Sequence, residues 1–181
     1  MKNIVLIGMP SCGKSTVGVL LAKRLGLQFI DTDLLLQQKT GKLLHQIIAE
    51  EGLDSFLSLE NKLCSELKAT DTVIATGGSV IYGKEAMQHL LDIAHVVYLK
   101  ISYETLVARL GDYVNRGVVL RDGMTLHDLY LERTALYEQY AHVTVDEATC
   151  AGGLGDTLEK TVALCQNLLV QGQILHKRAC P

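Results

Sequence analysis

The segment that most clearly suggests chemistry is a glycine-rich turn near the start of the chain, Gly8-Met9-Pro10-Ser11-Cys12-Gly13-Lys14-Ser15. It matches the spacing Gly-x-x-x-x-Gly-Lys-Ser/Thr, follows a short apolar run over 3–7, and opens a stretch with helical periodicity. Backbone N–H groups in such a turn, at the start of a helix, form a cradle for phosphate oxygens. The motif therefore predicts a nucleotide-phosphate site, in which Lys14 contacts the outer phosphates and the Ser15 hydroxyl binds Mg²⁺.

Two carboxylates follow directly after the second apolar run, in Asp31-Thr32-Asp33. Residues two apart in an extended chain point to the same side, so both acids are expected to face the phosphates. One would hold the hydrated Mg²⁺, and the other would orient or deprotonate an attacking hydroxyl. The alternative is a structural role, with Asp33 or Thr32 as the N-cap of a helix beginning at Leu34. That role accounts for one of the two acids but not for both.

The elements that must position these residues alternate between strand and helix. Strands are predicted at 3–7, 28–31, 72–76, 95–100 and 142–145. Helices are predicted at 14–25, 83–91, 103–110, 125–140 and 156–170, with several helical pieces over 34–68 that break at Gly41 and near Gly52. Alternating units of this kind favour a parallel sheet covered by helices on both faces, with ligands beyond the carboxyl ends of the strands. The expected fold is therefore α/β, three-layered, with a parallel five-stranded sheet.

Composition narrows the class of protein further. The chain has 181 residues, of which 48% are hydrophobic and 20% charged, and this suits one domain over 1–181. Its formal net charge of −3 predicts no nucleic-acid partner, and no apolar run reaches the roughly 18 residues of a membrane helix. The N-terminus shows no secretory signal, and the 5 cysteines are odd in number and scattered. We expect a cytoplasmic monomer with reduced thiols and no metal site built from side chains alone.

The type of phosphate-binding protein is narrowed by the third predicted strand, which ends in Thr76-Gly77-Gly78-Ser79 with no carboxylate. A GTPase would be expected to carry an acid at the end of a later strand, together with guanine-reading residues, and neither is found. The order and spacing of the motifs instead resemble the shikimate kinase family from Met1 to about Ala141. The residues that carry the resemblance are the phosphate turn, Leu25-Gly26, Phe29-Ile30-Asp31-Thr32-Asp33, Gly41, Gly52, Phe56 and Ala75-Thr76-Gly77-Gly78.

The resemblance implies a P-loop fold of the nucleoside-monophosphate-kinase type that phosphorylates shikimate with ATP and Mg²⁺, in aromatic amino-acid biosynthesis. It also implies a substrate-binding segment at 34–68 and a lid loop at 112–123. The residues expected to bind ATP are Gly8, Ser11, Cys12, Gly13, Lys14, Ser15, Thr16, Arg109 and Arg116. Those expected to bind the substrate are Asp33, Gly77, Gly78, Ser79 and Arg133.

Individual roles also follow from the resemblance. The metal is assigned to Ser15 and Asp31, and the catalytic set is Lys14, Asp33 and the lid residue Arg116. Arg109 matches an arginine that stacks on adenine, and Arg133 matches one that binds the substrate carboxylate. A guanidinium suits these tasks because it neutralises phosphoryl charge and grips a carboxylate at two points.

The chain departs from the family pattern at several positions. Leu57 stands where the family has a second carboxylate-binding arginine, and Leu53 stands where it has a glutamate. Ser79 replaces the third glycine of the substrate turn, and Ser11 replaces a glycine of the phosphate turn. Removing one cation from a buried carboxylate costs on the order of 2–5 kcal/mol.

These departures leave several hypotheses open. Either another cation, Lys62 or Arg121, takes over the lost contact, or the enzyme phosphorylates a different polyol. A non-catalytic nucleotide-binding regulatory module is a third hypothesis, although such a module has no need of Asp33. A gluconate-kinase-like activity fits less well, because the Asp31-Thr32-Asp33 and Thr76-Gly77-Gly78 motifs match the shikimate pattern better.

Overall fold

The computed structural model of the chain describes residues 3–111, 120–121, 123–150 and 153–179. The predicted lid at 112–123, including Arg116, lies almost wholly outside the described residues. The strands are β1 (Asn3–Ile7), β2 (Gln28–Asp31), β3 (Thr72–Ala75), β4 (Ala94–Lys100) and β5 (Val143–Asp146). The α-helices are α1 (Lys14–Leu25), α2 (Thr32–Thr40), α3 (Leu44–Glu51), α4 (Leu53–Ser65), α5 (Lys84–Ile93), α6 (Tyr103–Leu110), α7 (Leu126–Tyr140) and α8 (Leu154–Ala179).

All five strands form one parallel sheet in the order β2-β3-β1-β4-β5. The registers pair Leu6 with Ala75 and Asp31 with Ala75, so β1, β2 and β3 end at the same edge. The loops that follow these three strands carry the phosphate turn, the acidic pair and the glycine turn. The predicted α/β fold with a five-stranded parallel sheet is confirmed.

The central strand shows why the sequence selects this layering. Every residue of β1 is buried, and its apolar run is continuous because helices cover both faces of the sheet. Tyr98 on β4 stacks on Tyr137 of α7 with ring centroids 5.0 Å apart, and both rings are fully buried. Burying aliphatic side chains such as Ile4 and Leu21 stabilises the fold by about 1.5–3 kcal/mol each.

The segment predicted to be helical in pieces forms three helices, as expected. Helix α2 ends at Gly41, whose φ of +69° is the left-handed conformation that favours glycine. Gly52, with φ +85°, separates α3 from α4.

Some boundaries differ from those predicted. Helix α2 begins at Thr32 rather than Leu34. The reason is that the Asp31 carboxylate accepts hydrogen bonds from the N–H groups of Asp33 and Leu34, at 3.0 and 3.3 Å. Asp31 is therefore the N-cap, and the expectation that Thr32 or Asp33 would cap the helix is wrong. Helix α8 begins slightly earlier than predicted and extends well past the predicted end. No helix in the described part of the chain is long and apolar enough to cross a bilayer.

Candidate active site

A cleft of about 530 Å³ opens at the edge where β1, β2 and β3 end. Many of the residues singled out from the sequence line it, namely Ser11, Gly13, Lys14, Ser15, Thr16, Asp33, Gly77, Gly78, Ser79, Arg109 and Arg133. Pro10, Leu44, Phe56 and Thr76 complete the lining. The structure thus brings the phosphate turn, one acid of the pair and two arginines to a single cavity.

The phosphate turn is held in a conformation that glycine makes accessible. Gly8 has φ +147°, and a Cβ there would lie 2.6 Å from the carbonyl oxygen of Leu99. Gly13 has φ +95°, and Ser11 takes the left-handed conformation at φ +63° where the resemblance expects a glycine. Cys12 is buried, and neither it nor Gly8 is among the residues that line the cleft.

Lys14 is already positioned by the turn itself. Its side chain is buried, and Nζ donates to the carbonyl oxygens of Gly8 and Met9 at 2.7 and 2.9 Å. These bonds hold the ammonium at the floor of the phosphate turn, so it can bind phosphate oxygens without a large rearrangement.

Ser15 and Asp31 form a pair of oxygen ligands beside the turn. Ser15 Oγ donates to Oδ2 of Asp31 at 2.6 Å, while Oδ1 of Asp31 caps α2. A hydroxyl and a carboxylate are donors that Mg²⁺ prefers, and the rest of its octahedron is commonly completed by phosphate oxygens and water. Within the described residues no group of three or more His, Cys, Asp or Glu side chains could hold a metal. Two oxygen donors fit an Mg²⁺ ion whose remaining ligands come from phosphate and water.

Asp33 lies in the first turn of α2, and its half-buried side chain lines the cleft. Burial raises the pKa of Asp33 to about 6; the Lys14 ammonium lowers this pKa and the Asp31 carboxylate raises it. The expectation of an extended chain over 31–33 is wrong, because Asp31 ends the strand and Asp33 is helical, while the expectation that both acids face the phosphates stays a prediction. Asp31 binds Ser15 and caps α2, whereas Asp33 lines the cleft.

Glu60 on α4 is a buried acid that is not among the predicted site residues. Its Oε2 accepts a 2.6 Å hydrogen bond from Ser79 Oγ, and its Oε1 has no hydrogen-bond partner among the described residues. Burial raises the pKa of Glu60 to about 7, the Ser79 bond lowers it, and the Asp33 carboxylate raises it. Glu60 lies four residues after Phe56, on the same buried face of α4, and that helical spacing could have identified it.

The glycine turn after β3 fits between these acids. A Cβ on Gly77 would lie 2.0 Å from Glu60 Oε1 and 2.8 Å from Asp33 Oδ1. A Cβ on Gly78 would lie 2.9 Å from the Pro10 ring and 3.2 Å from Nη1 of Arg133. The turn therefore passes close to the phosphate turn, and side chains are excluded there by contact.

Arg133 projects from α7 into the cleft and is buried. Its Nε donates to the Tyr82 hydroxyl at 3.4 Å. One turn further along α7, Tyr137 donates its hydroxyl to the carbonyl oxygen of Gly78 at 2.5 Å, so the helix and the glycine turn are tied together. This places a cation beside the glycine turn.

Arg109 of α6 also lines the cleft, and it forms a two-point ion pair with Glu147. The resemblance assigns this arginine to adenine stacking, which stays a prediction. The lid arginine, Arg116, lies outside the described residues. Leu57, the main departure from the family pattern, lines a smaller cavity next to the cleft rather than the cleft itself.

A parallel sheet that presents a phosphate turn, an acid and a buried arginine to one cavity defines a phosphotransferase of the P-loop class. Residues 10–158 match the family model described as shikimate kinase, and the chain belongs to that family. It is 34% identical over 173 residues to a shikimate kinase of Clostridium botulinum (strain Eklund 17B / Type B), covering 94% of this chain and 99% of that protein. It is 37% identical over 150 residues to shikimate kinase 2 of Enterobacter sp. (strain 638), covering 79% and 85%.

A solved structure gives the same result. Shikimate kinase from Acinetobacter baumannii in complex with shikimate superposes with a TM-score of 0.76 at 30% identity, covering 100% of this chain and 96% of that one. The family predicted from the sequence motifs is thereby confirmed.

Proposed function

We propose that this protein phosphorylates the 3-hydroxyl of shikimate with ATP, giving 3-phosphoshikimate and ADP. The observation that carries the proposal is the sharing of one cleft by Lys14 of the phosphate turn, Asp33 and Arg133. The family relationship adds the substrate class, because relatives at 34 and 37% identity are shikimate kinases. The reaction belongs to the shikimate route of aromatic amino-acid biosynthesis.

Phosphoryl transfer in such a site depends mainly on positioning and on charge. Asp33 accepts a hydrogen bond from the attacking hydroxyl and orients it toward the γ-phosphorus. Its pKa of about 6 leaves it mostly a carboxylate at neutral pH, so it also accepts the hydroxyl proton as the new P–O bond forms. Lys14 neutralises charge on the transferring group, and Arg116 is assigned the same task from the lid.

The resident cation assigned to the site is Mg²⁺, and it would be held by Ser15 and Asp31 together with phosphate oxygens. When bound, it neutralises the charge shared by the β- and γ-phosphates. The support is the 2.6 Å approach of Ser15 Oγ to a carboxylate oxygen of Asp31 at the edge of the phosphate turn. Gly8, Ser11, Cys12, Gly13 and Thr16 are assigned to the ATP phosphates through the turn and the start of α1, and Arg109 to the adenine.

The substrate carboxylate is assigned to Arg133, and the ring to the wall formed by Gly77, Gly78 and Ser79. Buried Arg133 forms no ion pair with a carboxylate of the described residues, so its guanidinium is available to an anionic ligand. The segment 34–68 would close over the substrate and the segment 112–123 over the nucleotide, as subdomain and lid.

We further propose that the chain acts as a cytoplasmic monomer, without nucleic-acid or membrane partners. A net charge of −3 supports this, as do the free thiols of Cys12, Cys64, Cys150 and Cys165 in the described part of the chain. Sedimentation equilibrium should give the chain mass of 19.8 kDa, and twice that mass would contradict the monomer.

The function is tested by ADP release from Mg-ATP with shikimate, with a panel of uncharged polyols, and with no acceptor. We expect rapid shikimate-dependent turnover and only a slow background without an acceptor. Turnover with another polyol alone would transfer the proposal to that substrate. Nucleotide binding without turnover on any acceptor would favour a regulatory module.

A further inference from the structure

Two guanidinium groups share one aromatic ring beside the cleft. The Cζ of Arg133 lies 5.4 Å from the ring centroid of Tyr82, and the Cζ of Arg121 lies 5.7 Å from the same centroid. Both distances fall within the range of a cation–π contact. Tyr82 therefore holds a second arginine, from the segment before α7, close to the one assigned to the substrate carboxylate.

The two arginines also line one small cavity, of about 10 Å³, which is room for a single water molecule. Leu53, Leu57, Met124 and Leu129 make most of its remaining wall apolar. The cavity adjoins the main cleft, because Arg133 lines both.

Neither guanidinium forms an ion pair with a carboxylate within the described residues. Glu132 also lines the small cavity, but no ion pair joins it to Arg121 or Arg133 in the part of the chain that the structure describes. Arg121 is exposed, so its N–H donors are accessible to a ligand, whereas Arg133 is buried. Two adjacent arginines with no ion pair in the described part of the chain can bind an anion that accepts from both.

We propose that Arg121 is a second carboxylate-binding residue of the acceptor site, acting beside Arg133 and held in place by Tyr82. This inference rests on the proposed function, since it assigns the anion as the carboxylate of the acceptor. Arg121, which precedes α7, thereby supplies a positive charge to the cavity. Leu57, on α4, occupies the position where the family has an arginine and supplies none. The exposed Lys62 of α4 lines neither the cleft nor the small cavity, so it is not the replacement.

The first experiment measures the KM for shikimate and kcat in three single variants. Arg121→Ala should raise the KM for shikimate about tenfold while leaving kcat within about twofold, because the lost contact binds the carboxylate and not the reacting hydroxyl. Arg121→Lys keeps the charge but loses the planar fork, so its KM should lie between those of the wild type and Arg121→Ala. Lys62→Ala is the matched control, and its KM should equal that of the wild type.

The second experiment moves the cation across the cavity. Because Leu57 and Arg121 line the same cavity, an arginine at 57 can reach the same anion. The double variant Leu57→Arg with Arg121→Ala should therefore recover most of the affinity lost in Arg121→Ala. Equilibrium binding of shikimate to each variant, measured calorimetrically without ATP, should follow the same order and gives a readout independent of turnover.

The two proposals fail differently. If the wild type does not phosphorylate shikimate, the proposed function fails. If the wild type is active and Arg121→Ala leaves both the KM and the binding constant unchanged, the function stands and the role of Arg121 is overturned. A loss of kcat with an unchanged KM would also overturn it, since it would place Arg121 at the phosphoryl group.

Discussion

Ser79 Oγ donates a 2.6 Å hydrogen bond to Oε2 of Glu60, and this bond joins the turn after β3, where Ser79 lines the cleft, to helix α4. Both residues are buried, with exposed fractions of 7% and 3%. Glu60 has no basic ion-pair partner within the described residues, and its other oxygen accepts no hydrogen bond from them. The serine that departs from the family's glycine thus provides the partner that a buried carboxyl group needs.

The first prediction concerns the pH dependence of stability. The pKa of Glu60 is raised from 4.5 to about 7 by burial, so the native state binds a proton that the unfolded chain releases. Its contribution to stability is present below pH 4.5 and is lost as the pH rises toward 7. Glu60→Gln cannot ionise and should not show this loss. Between pH 5 and pH 8, the free energy of unfolding of the variant should therefore improve by about 1–3 kcal/mol relative to that of the wild type. Urea denaturation at both pH values measures the free energy of unfolding of each protein.

The control for that experiment is Glu66→Gln, at an exposed position directly after α4. The stability of this variant should depend on pH as that of the wild type does, since an exposed carboxyl group is in contact with water in both the folded and the unfolded protein. Parallel profiles for Glu60→Gln and the wild type would contradict the assignment of the effect to Glu60.

The second prediction concerns the ammonium of the phosphate turn. Lys14→Met should lower kcat by about a thousandfold or more, because no other side chain of the turn carries positive charge to the transferring phosphoryl group. It should also raise the pKa of Asp33, which the Lys14 charge holds down. The circular dichroism spectrum should stay that of the wild type, and an unchanged kcat would remove the turn from the mechanism.

The third prediction separates the role of Asp33 from nucleotide binding. Asp33→Asn keeps the side-chain shape but cannot accept the hydroxyl proton, so kcat should fall about a hundredfold to ten-thousandfold. The dissociation constant for ATP should change less than threefold, since Lys14 and Ser15 still bind the phosphates. A loss of ATP affinity as large as the loss of kcat would contradict an action at the acceptor hydroxyl.

The fourth prediction tests the close approach at the glycine turn. In Gly77→Ala the new methyl group would meet Glu60 Oε1 at 2.0 Å and Asp33 Oδ1 at 2.8 Å, so both carboxyls must shift. We expect a destabilisation of about 1–3 kcal/mol and a loss of activity. Gly155→Ala, in α8 with open space around the position, is the matched control and should keep full activity. Thermal melts and turnover rates should be measured for both variants, and equal stability and activity in the two would contradict the prediction.

Sequence patterns determined most of the fold because the signals are local. The buried run of β1, the glycine turn before α1 and the glycine stops at Gly41 and Gly52 each specify an element through nearby residues. The alternation of strands and helices then fixed a parallel sheet. The start of α2 was misplaced, because a side-chain cap by Asp31 competes with the extended conformation and periodicity does not show which one forms.

The phosphate turn and the Asp31-Thr32-Asp33 motif were likewise evident in the sequence, since their chemistry depends on fixed local spacing. Tertiary structure alone decided the contacts made across long intervals of chain. It paired Ser79 with Glu60, and it brought Arg121 and Arg133 to the ring of Tyr82, although each group comes from a different element. Contacts of this kind depend on how the helices pack over the sheet. Residue type and spacing therefore indicate the class of reaction, whereas packing determines which side chains lie together around the site.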